Sequence, residues 1–483
     1  MIFKLASFVF LTAVRNFALR QNHKHRLKGG HFSLRENGQF MKKILCVLFS
    51  AIILIGIMPL KGFAEEKETV TIYGNKISVN AKQICFVGGS KGSSRPELYD
   101  DSFKKYYYVG DSEIDFKLIA KKLPKLQNLV VIQSGIRNPS SLKSLKDLVW
   151  LGIHNCWDTT DISFLNELPQ LKKFRFSGNG VNDVDSIEPV ANLKNLTELY
   201  LDIHYMTVND ISSFKTLTKL GKLTLNIAEL SDASVLKNFK DLKELEIEQW
   251  GRADLDLGFI NELTKLESLS VAGAAGNTSG LEKMTELEAL TELSLSYLHS
   301  GIDVSFVGDM TRLEKLSVCG ADSFDTKLIK KLTNLKELSL TPFNTDKLDL
   351  SFLPKLKKLE SLFLMACDIG KLEGITKCPE LRELTIWNCS HGNLSRLKKC
   401  EKLSKLQIYG TTYFDGKAGF DIAWIEGLPL REFTASAAVL GNAEKITTLT
   451  ELETLTLEYT NVSDETIEII KKALPECKIK YRG

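Results

Sequence analysis

A leucine pattern repeated at a fixed spacing constrains this chain more than any other feature. The pattern L-x-x-L-x-x-L-x-L occurs, for example, at Leu263–Val271 and Leu332–Leu340. Its second leucine recurs 15 times in steps of 22 to 25 residues, apart from one step of 27. A period of this length is typical of repeat proteins, in which each unit buries its apolar face against its neighbours. These leucines lie at positions 126, 148, 171, 196, 220, 242, 266, 290, 313, 335, 359, 381, 403, 430 and 452.

The end of each repeat predicts a short β-strand. In the stretch x-L-x-L-x the two leucines point to one face, because alternate residues of a strand share a face. The first two leucines of the pattern fall on a turn before the strand, and the chain then returns along the opposite, convex side. The predicted fold class is therefore an α/β repeat solenoid with a parallel concave β-sheet and about 15 repeats, whose strands lie about 4.8 Å apart.

The repeat resembles the leucine-rich repeat family, specifically the short-repeat, internalin-like class of secreted bacterial proteins. The resemblance covers roughly residues 123–460 and includes Asn179–Asp183, followed by Ile187–Val190. It implies a horseshoe that recognises a ligand outside the cell. The family usually places Asn, or Cys, three residues past the last apolar residue of each strand, but here most repeats hold other residues, for example Ala228 and Phe343. The backbone groups that this asparagine would satisfy must therefore find other partners.

The N-terminal region has the layout of a secretory signal peptide. Met41–Lys43 is a basic start, Ile44–Leu60 is an apolar run, and Gly62–Ala64 supplies small residues before the cleavage position. Residues 41–64 are therefore predicted to be removed after Ala64, which would leave a secreted or cell-surface protein; an uncleaved anchor is the alternative. Residues 1–40 fit nothing downstream, and we expect them to be an over-extended start.

The two ends of the repeat array are predicted to be caps. Residues 65–122 would form the N-terminal cap, with a hairpin around Gly74-Asn75 and a short helix that leads into the first repeat. Residues 461–483 would form the C-terminal cap, in which a helix opens at Ser463 and a last strand follows it. Such caps would cover the open ends of the core.

The charge distribution argues against a nucleic-acid partner. The formal net charge is +3, but residues 1–64 hold 10 Lys/Arg and one acid. The remaining residues hold 53 Lys/Arg and 59 Asp/Glu, which gives a net charge of −6. A basic footprint for nucleic acid is therefore not expected, and contact with a membrane is expected only through the signal peptide before its cleavage.

Two groups of large side chains occupy outward-facing strand positions. The first outward position mostly alternates Lys and Glu, which predicts cross-strand ion pairs rather than a ligand site. The other two positions are small in the middle repeats and become bulky towards the C-terminus. There, one candidate binding patch about 10 Å across is expected on neighbouring strands. It consists of Phe363, Met365, Trp387, Gln407 and Tyr409.

A smaller candidate group lies near the N-terminal end of the array. It consists of Trp150, His154, Arg175, Tyr200 and Asp202. Exposed tryptophan and tyrosine on a concave wall are typical of binding hot spots, and they also suit stacking on a sugar ring. The alternative for both groups is that the aromatic rings pack on each other or under a loop that crosses the sheet.

The sequence carries no motif for catalysis or for a metal. His-Glu-x-x-His, Gly-x-Ser-x-Gly and metal-spaced Cys/His sets are all missing, so no catalytic residue, metal or cofactor is predicted. Cys367, Cys378, Cys389 and Cys400 are 11 residues apart. We interpret them as two alternating buried sites rather than as a metal or disulfide ladder.

Together these features predict a secreted, non-enzymatic recognition protein. Its concave face would bind an extracellular protein or glycan, and the internalin-like resemblance implies adhesion or host interaction. The alternative is a self-assembling structural surface protein.

Overall fold

The structure is a computed structural model of the 483-residue chain. It describes residues 68–483 except 93–101, 158, 179–183, 208–210, 231, 250, 252–253, 274–277, 298–302, 321–323, 343–347, 392–393 and 411–419, and it leaves out the side chains of 204–207 and 278. Glu68–Gly483 forms one compact unit. The expected start at residues 1–40 and the predicted signal peptide at 41–64 lie outside the described residues.

The described chain opens with a hairpin and continues into one long sheet. Strands β1 (Thr69–Ile72) and β2 (Asn75–Ser78) pair antiparallel around Gly74, which confirms the predicted hairpin. Eighteen further strands join into a single sheet in which neighbours are parallel. They are β3 (Gln83–Val87), β4 (Tyr107–Tyr108), β6 (Asn128–Ile132), β8 (Trp150–His154), β9 (Lys173–Ser177), β10 (Glu198–Thr207), β11 (Lys222–Glu229), β12 (Glu244–Gln249), β14 (Ser268–Ala272), β16 (Glu292–Ser296), β17 (Lys315–Cys319), β18 (Glu337–Thr341), β19 (Ser361–Met365), β20 (Glu383–Trp387), β21 (Lys405–Tyr409), β23 (Glu432–Ser436), β25 (Thr454–Glu458) and β26 (Lys478–Arg482).

The remaining short strands form parallel pairs outside the long sheet. They are β5 (Ile114–Asp115) with β7 (Ile136–Arg137), β13 (Leu255–Asp256) with β15 (Thr278–Ser279), and β22 (Phe420–Asp421) with β24 (Leu440–Gly441). Most return segments contain a 3-10 helix. These helices are Pro139–Ser144, Ser163–Glu167, Glu188–Asn192, Ser212–Thr216, Ser234–Asn238, Ile260–Glu262, Leu281–Glu286, Ser305–Asp309, Thr326–Lys331, Leu353–Lys355, Ile375–Lys377, Ser395–Lys399, Ala423–Ile425 and Ala443–Thr448.

Each leucine repeat forms the unit that its spacing predicts. In the repeat that contains β18, the turn leucines Leu332 and Leu335 are fully buried. The strand leucines Leu338 and Leu340 are also buried, and Glu337, Ser339 and Thr341 alternate with them on the other face. Parallel pairing keeps the same register from strand to strand, so one continuous core runs through the array. The predicted repeat solenoid is confirmed, and we call the outward side of its sheet the concave face.

Backbone groups beyond the strands find partners without an asparagine ladder. The first residue after many strands has a positive φ, including Gln133, Tyr297, Ala366 and Asn388. This conformation directs its N–H to the next strand: the Ala366 N–H donates to the Trp387 carbonyl at 2.9 Å. Cysteine contributes as well, since the Cys389 thiol lies 3.4 Å from the Leu364 carbonyl. The ends of these strands are thereby fixed relative to their neighbours.

Helices stand at both ends of the described unit. Helix α1 (Phe116–Lys122) begins after Asp115, whose carboxylate accepts from the Lys117 N–H at 2.9 Å. Helix α2 (Asp464–Ala473) is capped by the Ser463 hydroxyl and precedes β26. Both predicted helices are therefore present. No helix within the described ranges is long and apolar enough to span a membrane.

The N-terminal end of the sheet extends beyond the predicted repeats. Strand β3 pairs with β6 in the register of the repeats, although no leucine pattern precedes it. The segment that contains Phe103 lies over the concave face of these strands, and Phe103 is only 3% exposed. It belongs to a second apolar cluster with Cys85, Val87, Val130 and Ile132, against which Trp150 also packs. The concave face of the first strands is therefore covered by this segment.

Candidate ligand-binding face

The five residues of the C-terminal candidate patch occupy adjacent positions on three strands. Met365, Trp387 and Tyr409 are register partners at the ends of β19, β20 and β21. Phe363 and Gln407 lie one outward position earlier, on either side of Thr385. The structure thus brings together all five predicted side chains, which we call the aromatic patch.

Trp387 is the most exposed member of the aromatic patch. Its indole is packed edge-on to Phe363, with ring centroids 6.4 Å apart, and it lies 5.0 Å from the Tyr409 ring. Trp387 is nevertheless 43% exposed, whereas the other four members are half-buried. Neighbouring rings therefore hold the indole in place while a large part of it faces solvent.

Gln407 fixes the polar edge of the patch. Its amide nitrogen donates to the Tyr409 hydroxyl at 2.9 Å, and its amide oxygen accepts from Thr385 at 3.1 Å. Burial raises the pKa of Tyr409, an effect that Lys405 opposes. The Tyr409 hydroxyl therefore stays protonated at neutral pH, and it keeps its own proton to donate after accepting from Gln407.

A smooth trough leads to the aromatic patch along the concave face. It has a volume of 410 Å³, and its floor carries one serine from each of four neighbouring strands, with Phe363 at one end. These serines are register partners: Ser270, Ser294, Ser317 and Ser339. Because the side chains are small, a ligand can approach the sheet closely here. Sequence reasoning noted the small residues but did not identify the trough.

The N-terminal candidate group is also brought together, but its members are engaged within the protein. The Trp150 ring lies 5.1 Å from Phe103, under the segment that crosses the sheet. Arg175 donates to Glu198 at 2.8 and 3.1 Å, and the Tyr200 hydroxyl donates to Asp202 at 3.3 Å. This arrangement matches the alternative in which the rings pack under a crossing segment.

Burial dominates the electrostatics of this N-terminal group. His154 is 2% exposed, and desolvation with the nearby Arg175 charge lowers its pKa to about 3. Gly152 leaves space for the ring, since a Cβ there would lie 3.2 Å from His154 Nε2. Burial and the carboxylates of Asp202 and Glu246 raise the pKa of Tyr200. His154 is therefore neutral at physiological pH.

The first outward position forms the predicted ladder of ion pairs. Lys315 lies 3.1 Å from Glu292 and 3.3 Å from Glu337 on the two neighbouring strands. Lys173 pairs with Glu198 at 2.8 Å. These partners are mostly half-exposed, so each pair contributes little stability, about 1 kcal/mol at most. The charged groups of the ladder therefore bind one another, which makes them weaker candidates for ligand contact.

The four cysteines occupy two alternating buried sites, as predicted. Cys367 and Cys389 follow β19 and β20, and their sulfurs lie 3.7 Å apart as free thiols. Cys378 and Cys400 end 3-10 helices on the convex side, where burial raises their pKa to about 12 and about 11. Among the described residues, no group of three or more His, Cys, Asp or Glu could hold a metal ion.

The long repeat after Leu403 inserts residues 411–419, which lie outside the described residues. The following Phe420 and Trp424 are buried at 0% and 7% exposure. They pack in the core rather than at the rim of the aromatic patch.

The sequence similarity of this chain to known proteins is limited. No protein-family model matches the chain. Among curated proteins, mouse cilia- and flagella-associated protein 410 is 33% identical over 102 residues, which are 19% of this chain. The match spans 40% of that relative's length.

Solved structures of similar fold include two internalins from Listeria monocytogenes. Internalin F is 22% identical with a TM-score of 0.47, and the match covers 62% of this chain and 85% of that one. InlJ, whose functional domain includes a cysteine ladder, is 16% identical with a TM-score of 0.42, over 74% and 72% of the two chains. A leucine-rich repeat protein from Leptospira interrogans is 21% identical with a TM-score of 0.43, over 74% and 91%.

The strand, the buried leucine ladder and the return segment of every unit define the class. The chain has the fold of a leucine-rich repeat solenoid. Internalins are among the solved structures that the chain resembles, as the sequence resemblance led us to expect.

Proposed function

We propose that this protein is a secreted, non-enzymatic recognition protein that binds an extracellular protein or glycan on its concave face. The observation that carries the proposal is the 43% exposure of Trp387 within an ordered aromatic patch. The repeat does not require large apolar groups at this position, since the equivalent residues on β14 and β16 are Ala272 and Ser296. Secretion rests on the signal-peptide layout of residues 41–64.

The aromatic patch has the chemistry of a binding anchor. Trp387 presents a broad apolar face that loses little conformational entropy on binding, because Phe363 and Tyr409 already hold the ring. The Tyr409 hydroxyl supplies a polar group at the edge. The internalin-like resemblance favours adhesion or host interaction as the setting for such an anchor.

A binding screen with two matched tryptophan variants tests the proposal. The full protein would be screened against glycans and extracellular proteins, beside Trp387→Ala and Trp157→Ala. Trp157 is a matched control because it is 39% exposed but follows β8 at the other end of the array. We expect Trp387→Ala to weaken a hit at least about 30-fold, as for a hot-spot residue. A hit that Trp387→Ala retains would contradict the patch as the anchor.

Self-assembly into a surface structure is the alternative function. Strand β26 is paired on one side only among the described strands, and it carries exposed Lys478, Lys480 and Arg482. Cations on an edge strand oppose pairing with another edge, so this feature favours the recognition role. Light scattering over a range of protein concentrations distinguishes the two functions, because self-assembly predicts a particle mass that increases with concentration.

A further inference from the structure

We infer that the concave trough accepts an extended polypeptide segment that carries a lysine or arginine about seven residues from a large apolar side chain. This inference rests on the proposed recognition function and specifies the class of its ligand.

One row of the concave face has chemically different ends. Glu246 on β12 starts the row, four serines on β14, β16, β17 and β18 follow, and Phe363 on β19 ends it. With neighbouring strands about 4.8 Å apart, Glu246 and Phe363 are separated by about 24 Å. An extended chain rises about 3.3 Å per residue, so about seven residues span this distance.

The strand next to the Ser270 end of the trough is negative, because Glu246 is the register neighbour of Ser270. Glu246 is exposed and Glu248 is half-buried, and both project from the same face of β12. The outward positions of β9 to β12 together hold three cations and five carboxylates, so the surface carries a net negative charge. These residues are Lys173, Arg175, Lys222, Glu198, Asp202, Glu244, Glu246 and Glu248.

Glu246 is the exposed carboxylate that lies in the same row as the serines of the trough, so it is the one that a ligand in the trough would meet. Glu198 is bound by Lys173 and Arg175, and Glu244 by Lys222. Glu246 accepts a hydrogen bond from the neutral Thr224 hydroxyl at 3.2 Å. A ligand cation placed over β12 therefore meets a carboxylate that has a neutral partner on the neighbouring strand.

The middle of the trough suits a polypeptide backbone. The four serine hydroxyls can donate to carbonyls and accept from amides, and their small size lets a main chain approach the sheet. At the far end, Phe363 and Trp387 provide an apolar wall for a large side chain. A neutral glycan could stack on that wall but would bring no cation to Glu246. Charge complementarity thus favours the polypeptide.

A random 16-residue peptide library displayed on phage tests this inference against the full protein. We expect enriched sequences to carry Lys or Arg about seven residues from an aromatic or large aliphatic residue. Synthetic versions should lose at least about 30-fold in affinity for Trp387→Ala. For Glu246→Gln they should lose about 2- to 5-fold at low salt, and less at high salt.

The matched charge control is Glu288→Gln, because Glu288 is an exposed carboxylate in the turn before β16 rather than on the concave row. Peptide affinity should not change for this variant. Enriched peptides that lack a cation, or that bind Glu246→Gln as tightly as the parent, would overturn the inference. If the library yields no binding peptide but a glycan or a folded protein binds in a way that depends on Trp387, this inference is overturned and the proposed function stands. Peptides that bind Trp387→Ala unchanged would contradict both.

Discussion

The two ends of the concave face both place large side chains at outward-facing strand positions but differ in what lies above them. At the N-terminal end, Phe103 crosses the sheet and packs 5.1 Å from Trp150. At the C-terminal end, no described segment makes a comparable apolar cluster over the sheet, and Trp387 is 43% exposed. Strand position therefore sets the direction of a side chain, whereas a segment outside the repeat decides whether that side chain can meet a ligand.

Removal of the Phe103 ring, which covers the N-terminal end, should cause the largest change in stability. We expect Phe103→Ala to lower the free energy of unfolding by about 3–5 kcal/mol, because a fully packed phenyl ring is lost from an apolar cluster. Trp387→Ala should change it by about 1 kcal/mol or less, since its ring is half in solvent. Urea unfolding followed by circular dichroism measures both variants. Equal losses would contradict the distinction between a covered and an open end.

A change of pH should affect the covered end through His154. Its pKa is about 3 in the folded protein against 6.5 in an exposed histidine. The unfolded chain therefore takes up a proton below pH 6.5 that the folded protein refuses, and stability falls as the pH falls. Between pH 7.5 and pH 5 this histidine should lower the free energy of unfolding by about 2 kcal/mol.

The control for this pH effect is His154→Gln, measured by urea unfolding at both pH values. The parent should lose about 2 kcal/mol more than the variant over this interval. Other groups that titrate in this window are common to the two proteins, so the difference between them isolates His154. An identical pH dependence in the two proteins would show that His154 is not buried as a neutral ring.

The smallest predicted change in stability is at Ala366, the residue that follows β19 in the aromatic patch. Ala366 follows β19 with a φ of 55°, which is strained for a residue with a Cβ. Ala366→Gly should therefore leave the protein as stable or more stable by up to about 1 kcal/mol. Ala272→Gly, within β14, should instead lose about 0.5–1 kcal/mol. Thermal unfolding compares the two; a greater loss at Ala366 would contradict the strain.

The leucine period predicted the strands, their register and the outward direction of all candidate residues, because one repeated local pattern specifies them. Strand β3 was not predicted, since Gln83–Val87 has no preceding leucine pair. The position of Phe103 over Trp150 is a contact between distant segments that no periodicity encodes. The aromatic run Phe103, Tyr106 and Tyr107 was the available signal for that cover.

The polar details of the candidate site were also beyond the sequence. Gln407 was predicted as a member of the candidate patch, but the sequence did not show that its amide binds Thr385 and Tyr409 within the patch. Glu246 was not singled out as a candidate. Its significance depends on the trough beside it, which arises from the common register of four strands.

The most direct test of the open C-terminal end is the calorimetric affinity of one ligand from the screen for the parent, Trp387→Ala and Trp157→Ala. All three proteins should unfold at similar temperatures. The predicted result is a loss of at least about 30-fold for Trp387→Ala and less than about 2-fold for Trp157→Ala. Equal affinity of the parent and Trp387→Ala would contradict the aromatic patch as the binding site.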